Sequence, residues 1–238
     1  KCDDVEVQRL TAHAIANISV DTTNQVLLAE QGGIEMLTSL LERGRSVLIQ
    51  KQCAKALANI SVNADNKIKV TKLGGLVALV TALGVEHEGV RTEVIAALAN
   101  LAVNDENESL IGAGGGLALI IKIGLNSKNP ELLGQVSRAI RNLSVNPVNQ
   151  KILREENGIE LLKKLSESNI PSTEKAQSSK LNTNIDNTQT SQLDSSPTET
   201  EAQEVDLAYQ YQAAVREFEV LTQSEQLQKR KLSLSRVI

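Results

Sequence analysis

Four asparagines recur at a fixed interval: Asn17, Asn59, Asn100 and Asn142, separated by 42, 41 and 42 residues. Each closes one phrase, HAIANISV, KALANISV, AALANLAV or RAIRNLSV. A carboxamide offers a donor and an acceptor, the pair needed to hold the C=O and N–H of a peptide group. Four amides in file, about 10 Å apart on packed helices, stand roughly three extended residues apart at a rise of about 3.3 Å. That is chemistry for gripping a main chain. The same spacing allows a second use, in which each Asn caps its own helix or ties to the neighbouring repeat.

Four residues before each Asn, on the same helical face, stand His13, Lys55, Ala96 and Arg138. One turn further back are Gln52, Glu93 and Gln135, with Arg9 and Lys51 alongside. The stripe Arg9, His13, Lys51, Lys55 and Arg138 is mildly basic and is interrupted by Glu93. It reads either as a binding face for acidic groups or as a solvated helix surface.

The elements that carry these residues follow from the rest of the repeat. Seven residues after each ladder Asn comes another: Asn24, Asn66, Asn107 and Asn149. A glycine step follows at Gly32-Gly33, Gly74-Gly75 and Gly115-Gly116, with Asn157-Gly158 in the last copy. A period of about 40 residues built from apolar helical segments is the mark of a stacked solenoid. In the copy 63–103, the pattern predicts a short helix over Asn66–Leu73, with Asn63 and Asp65 as capping residue types. A turn follows at the glycine pair, where φ > 0 is needed. An apolar helix, Leu76–Leu83, comes next, and then a polar turn. The long helix Val90–Leu101 ends the copy. In it Val94, Ile95, Leu98 and Leu101 share one buried face. The chain begins inside such a long helix, about Val5–Val20. Three complete units follow, and the last copy has only its first two helices, to about Glu167.

Three helices per unit, the glycine between the first two and the Asn in the third resemble the armadillo repeat, over residues 1–167. The resemblance implies an all-α, right-handed armadillo solenoid superhelix whose third helices line a concave groove. It implies that Asn17, Asn59, Asn100 and Asn142 hydrogen-bond the backbone of an extended peptide, with His13, Lys51, Lys55 and Arg138 beside them. The importin-α type has Trp where this chain has His13, Lys55, Ala96 and Arg138, and the chain has no Trp at all. A nuclear-import adaptor is therefore the weaker reading. A basic groove is similar to the β-catenin type, which takes acidic extended ligands. The expected function is a protein-interaction scaffold. The alternative is the armadillo tail of a kinesin-like cytoskeletal protein or of a vacuole- or membrane-anchored one.

Composition excludes other classes. Residues 1–167 hold 18 basic and 19 acidic side chains, so no polyanion surface is implied. All three aromatics, Tyr209, Tyr211 and Phe218, lie near the C-terminus, leaving the repeats no base-stacking platform. No nucleic acid partner is expected. Cys2 and Cys53 make no disulfide framework, which suits a reducing, cytoplasmic setting with the nucleus also open. No run of about 18 apolar residues exists, so no direct membrane insertion is expected. Position 1 is Lys, so the chain reads as a fragment or processed product.

No catalytic set converges, so neither an enzyme nor a cofactor is expected. The scattered His and Cys make no metal-ligand spacing. Gly112–Gly116 follows a helix rather than a strand, unlike a phosphate loop. Asn17, Asn59, Asn107 and Asn142 each open a glycosylation triplet, but three of these are simply the repeat phrase, and none is expected to be used.

The C-terminal third differs. From Ser168 to Gln203, 21 of 36 residues are Ser, Thr, Asn or Gln, which predicts a disordered linker. From Glu204 to about Lys231 an amphipathic helix is expected. Leu207, Tyr211, Ala214, Phe218 and Leu221 follow a short a/d seam, and a tail follows at 232–238. Three fates stay open for that helix: capping the stack, self-association or coiled coil, and binding a partner.

Overall fold

The computed structural model describes residues 4–168. Among them are twelve α-helices and no strand. The opening helix α1 (Val5–Ile18) is a third helix of the repeat. Three full triplets follow: α2 (Thr22–Glu30), α3 (Gly33–Arg43) and α4 (Val47–Ile60); α5 (Ala64–Lys72), α6 (Gly75–Ala82) and α7 (Glu88–Leu101); α8 (Asp105–Ala113), α9 (Gly116–Asn126) and α10 (Pro130–Leu143). The pair α11 (Pro147–Glu155) and α12 (Gly158–Ser168) closes the described part. The chain divides into two units between Leu161 and Leu162; the first holds the stack, and the described part of the second is the remainder of α12. The linker, the amphipathic helix at 204–231 and the tail lie outside the described residues.

The helices expected within residues 5–168 are all present, with small shifts in their ends. The first helix of the copy 63–103 starts at Ala64 rather than Asn66, because Asn63 is the N-cap: its side chain accepts from the Asn66 N–H at 3.1 Å. Asp21, Asn104 and Asn146 cap the equivalent helices in the same way. A side-chain acceptor satisfies one of the four unpaired N–H groups at a helix start. α12 runs one residue past the expected Glu167, to Ser168.

The two residues of the glycine step do different things. Gly74 has φ +82° with open space around its Cα, so only its backbone conformation demands glycine. Gly75 has ordinary φ, but a Cβ there would stand 2.7 Å from Val70 Cγ1 and 2.9 Å from the Val70 carbonyl oxygen. The last copy makes the distinction visible. Asn157 replaces the first glycine at φ +61°, a conformation Asn tolerates, whereas Gly158 stays glycine 2.6 Å from the Leu153 carbonyl oxygen.

The third helices pack in file, α1 on α4, α4 on α7 and α7 on α10, and the second helices α3 and α6 pack on each other and on their own third helices. Val94, Ile95, Leu98 and Leu101, the predicted core face of α7, are fully buried. Cys53 is likewise buried, as its alignment with Val94 and Val136 predicts, and burial pushes its thiol up to about 12.

Candidate binding face of the third helices

The ladder asparagines sit near the C-terminal ends of α1, α4, α7 and α10, and three of them reach back one repeat. Asn59 Nδ2 donates to the Ala16 carbonyl at 3.2 Å and to Ser19 Oγ at 3.1 Å. Asn100 Nδ2 donates to the Ala58 carbonyl at 2.7 Å, and Asn142 Nδ2 to the Ala99 carbonyl at 2.8 Å. Each acceptor is the carbonyl of the alanine just before the preceding ladder Asn. These alanines are buried, so only a small side chain leaves the next helix close enough for the bond. Asn17 lies on α1, with no earlier third helix among the described residues; it is exposed and makes no hydrogen bond there.

The structural use of the ladder is therefore real, and it takes part of each amide. Asn59 spends both N–H groups and Asn100 spends one. The Oδ1 atoms of Asn59 and Asn100 accept no hydrogen bond, and both residues are half-buried rather than sealed. Asn142 Oδ1 accepts from Arg141 Nε at 3.3 Å. Asn59 thus holds out an acceptor and Asn100 an acceptor with one N–H, while Asn17 retains donor and acceptor alike.

The basic stripe is less uniform than the sequence suggested. Arg9 is paired with Glu6, so it adds little net charge. This contact leaves the Glu6 carboxyl below its usual range through the hydrogen bond from Arg9 and the adjacent charge. His13 is exposed, and Lys51 and Lys55 are half-buried on α4. Glu93 is half-buried; burial raises its carboxyl, the charges of Lys55 and Lys51 oppose that rise, and the charge of Glu131 adds to it. Arg138 is half-buried on α10, and its Nη2 donates across the repeat to the Ala96 carbonyl at 3.1 Å. Burial, with the charge of Arg141, lowers the Arg138 guanidinium. His13, Lys55 and Arg138 thus share one position of the repeat with three different degrees of freedom.

The second series of asparagines is purely internal, a role that sequence spacing alone did not assign. Asn66, Asn107 and Asn149 are each about 1% exposed. Asn66 Nδ2 bridges the carbonyls of Gln25 at 3.0 Å and Ile60 at 3.3 Å. Asn107 bridges Lys67 and Leu101, both at 3.3 Å, and Asn149 reaches Glu108 at 3.1 Å. Each stitches the first helix of one copy to that of the copy before. Asn24, at the edge, ties only to Ile18, at the end of the helix just before its own. The recurrence of a polar residue inside an apolar repeat, in all four copies, was the available signal.

The comparisons with known proteins agree with this geometry. The family model for the armadillo/β-catenin-like repeat matches residues 22–62 and 63–103, the second and third helix files included. The chain carries armadillo repeats. The crystal structure of an engineered protein is similar at TM-score 0.65 and 28% identity, covering 69% of each chain. A computationally designed armadillo repeat protein for modular peptide recognition is similar at TM-score 0.65 and 25% identity, over 88% of this chain and 78% of that one. A designed armadillo repeat protein in complex with the peptide (KR)4 shares the fold at TM-score 0.65 and 24% identity, over 88% of this chain and 77% of that one. No curated protein is significantly similar in sequence. Among the described armadillo helices, none is alone long and apolar enough to cross a membrane.

Proposed function

We propose that the armadillo repeats bind an extended segment of another protein along the third helices, with the ladder holding its backbone. The observation that carries this is the Oδ1 of half-buried Asn59 and Asn100, which accepts no hydrogen bond among the described residues while the Nδ2 of the same amide is held by the preceding repeat. A pre-aimed acceptor loses little freedom on meeting a peptide N–H. Designed armadillo proteins that recognise peptides support the general mode. The ligand sign is assigned from this chain's own face. Lys51, Lys55 and Arg138 outnumber Glu93 and Glu131 among these residues, so an acidic segment is favoured over a basic one.

Asn17→Ala is the cleanest variant, because the Asn17 side chain makes no hydrogen bond among the described residues and its loss should touch ligand alone. Fluorescence anisotropy with a dodecapeptide of alternating Asp and Thr reads binding. Weaker binding by Asn17→Ala at unchanged melting temperature, and weaker binding still by Asn100→Ala, is the expected result. Equal affinity in all three proteins, or tighter binding of the Lys-Thr dodecapeptide, would refute the proposal.

A further inference from the structure

Among the cations of the third-helix face, Arg138 is in an unusual electrostatic position. Arg9 has its carboxylate, Glu6, and the charges of Lys51 and Lys55 act on Glu93. Among the described residues Arg138 makes no ion pair, and the charge that perturbs it is another arginine, Arg141. Its Nε is sealed from solvent without a partner, and its Nη2 is held at 3.1 Å by the Ala96 carbonyl. A half-buried guanidinium that no carboxylate neutralises is costly, because desolvation is paid without the compensating Coulombic attraction. The tie to Ala96 also fixes the guanidinium plane: Nη1 carries no hydrogen bond and is the edge left for a ligand. The acceptor belongs to Ala96, the residue at Arg138's own position in the preceding copy.

Resting on the reading that an extended peptide follows the ladder, the geometry points to Arg138 as a subsite for one acidic side chain of that peptide, an Asp or Glu carboxylate seated between the backbone groups held at Asn100 and Asn142. The subsite supplies register. A ladder of identical amides lets a peptide slide by one repeat at little cost, whereas one fixed, unneutralised guanidinium selects a single alignment. Lys51 and Lys55, being flexible and already acting on Glu93, add general attraction but no such alignment.

The test is an aspartate scan. A labelled Asn-Thr dodecapeptide is the neutral probe, and a single Asp replaces each Asn in turn. In the unmodified chain, one Asp position, or two adjacent ones, should tighten binding at least tenfold over the neutral probe, and the other positions should gain little. Arg138→Met should erase that gain while leaving the neutral probe's affinity within about twofold. Arg138→Gln keeps an amide donor for the Ala96 carbonyl and guards against loss of fold; it should erase the gain as well. Lys55→Met should preserve it. An equal gain at every Asp position, or a gain that survives in Arg138→Gln, overturns this subsite while leaving ladder binding standing. Absence of binding by every probe to the unmodified chain overturns both.

Discussion

Replacing Asn66 by Ala tests whether the internal asparagines hold the repeats together. Asn66 is about 1% exposed and its Nδ2 serves two carbonyls, Gln25 on the first helix of the preceding copy and Ile60 at the end of α4, just before its own helix. Each bond contributes about 0.5–1.5 kcal/mol net, and a buried carbonyl left without a donor costs about 1–3 kcal/mol. The bonds and the orphaned acceptors are one effect counted from two sides, so the expected loss is about 2–4 kcal/mol. Asn24→Ala is the internal control. It removes a single bond to Ile18 at an exposed site and should cost about 0.5–1 kcal/mol. Urea denaturation followed by circular dichroism measures both, and native-state hydrogen exchange should show the loss concentrated in α4 and α5, since solenoid stability is a sum of neighbour terms. Equal destabilisation by the two variants, within about 0.5 kcal/mol, would refute the assignment, because it would mean that the cross-repeat bond contributes nothing beyond the local one.

The glycine step gives a ranking: Gly75→Ala, which drives a Cβ onto the Val70 carbonyl, should cost more than Gly74→Ala, whose φ of +82° costs about 1–2 kcal/mol, and Asn157→Gly should be neutral or stabilising by thermal melts. Cys53, with its thiol pushed up to about 12, should resist iodoacetamide at pH 8 in the folded chain and react in urea, as read by peptide mass mapping. Glu108 is buried, and burial raises its carboxyl against the opposing hydrogen bond from the Asn146 N–H at 2.6 Å. Its folded value lies above its unfolded one, so this contribution to stability is full below the unfolded value of about 4.3 and is lost as pH rises through the folded value. Glu108→Gln should therefore remove that slope from the stability–pH curve and be at least as stable at pH 7; a steeper loss with rising pH would contradict it.

Much of the fold was legible because the repeat states it four times. Helix identity, the glycine turn and the buried face of α7 each rest on local periodicity, which a single chain carries openly. The boundaries of the short helices were less legible, since Asn63 and Asn66 are both capping types, and which one caps depends on where the backbone turns. Along the ladder, the sequence left two uses open, and Asn59 and Asn100 serve the structural one with Nδ2 while leaving Oδ1 unpaired. No local pattern separates those halves of one amide, since the partners, Ala16 and Ala58, lie about a full repeat away. The pairing of Arg9 with Glu6 was readable from its i,i+3 spacing. The bond of Arg138 to the Ala96 carbonyl was not, because its partner lies 42 residues away in another copy.

The side-chain amide resonances of the asparagines report the central claim without any mutation. In 15N-correlated NMR spectra, titration with the Asp-Thr dodecapeptide should shift the NH2 pairs of Asn17, Asn59, Asn100 and Asn142 together. Those of Asn66, Asn107 and Asn149, buried on the other side of the repeat contacts, should stay in place. Shifts confined to the internal series, or saturable binding that leaves all four ladder amides unmoved, would contradict the account.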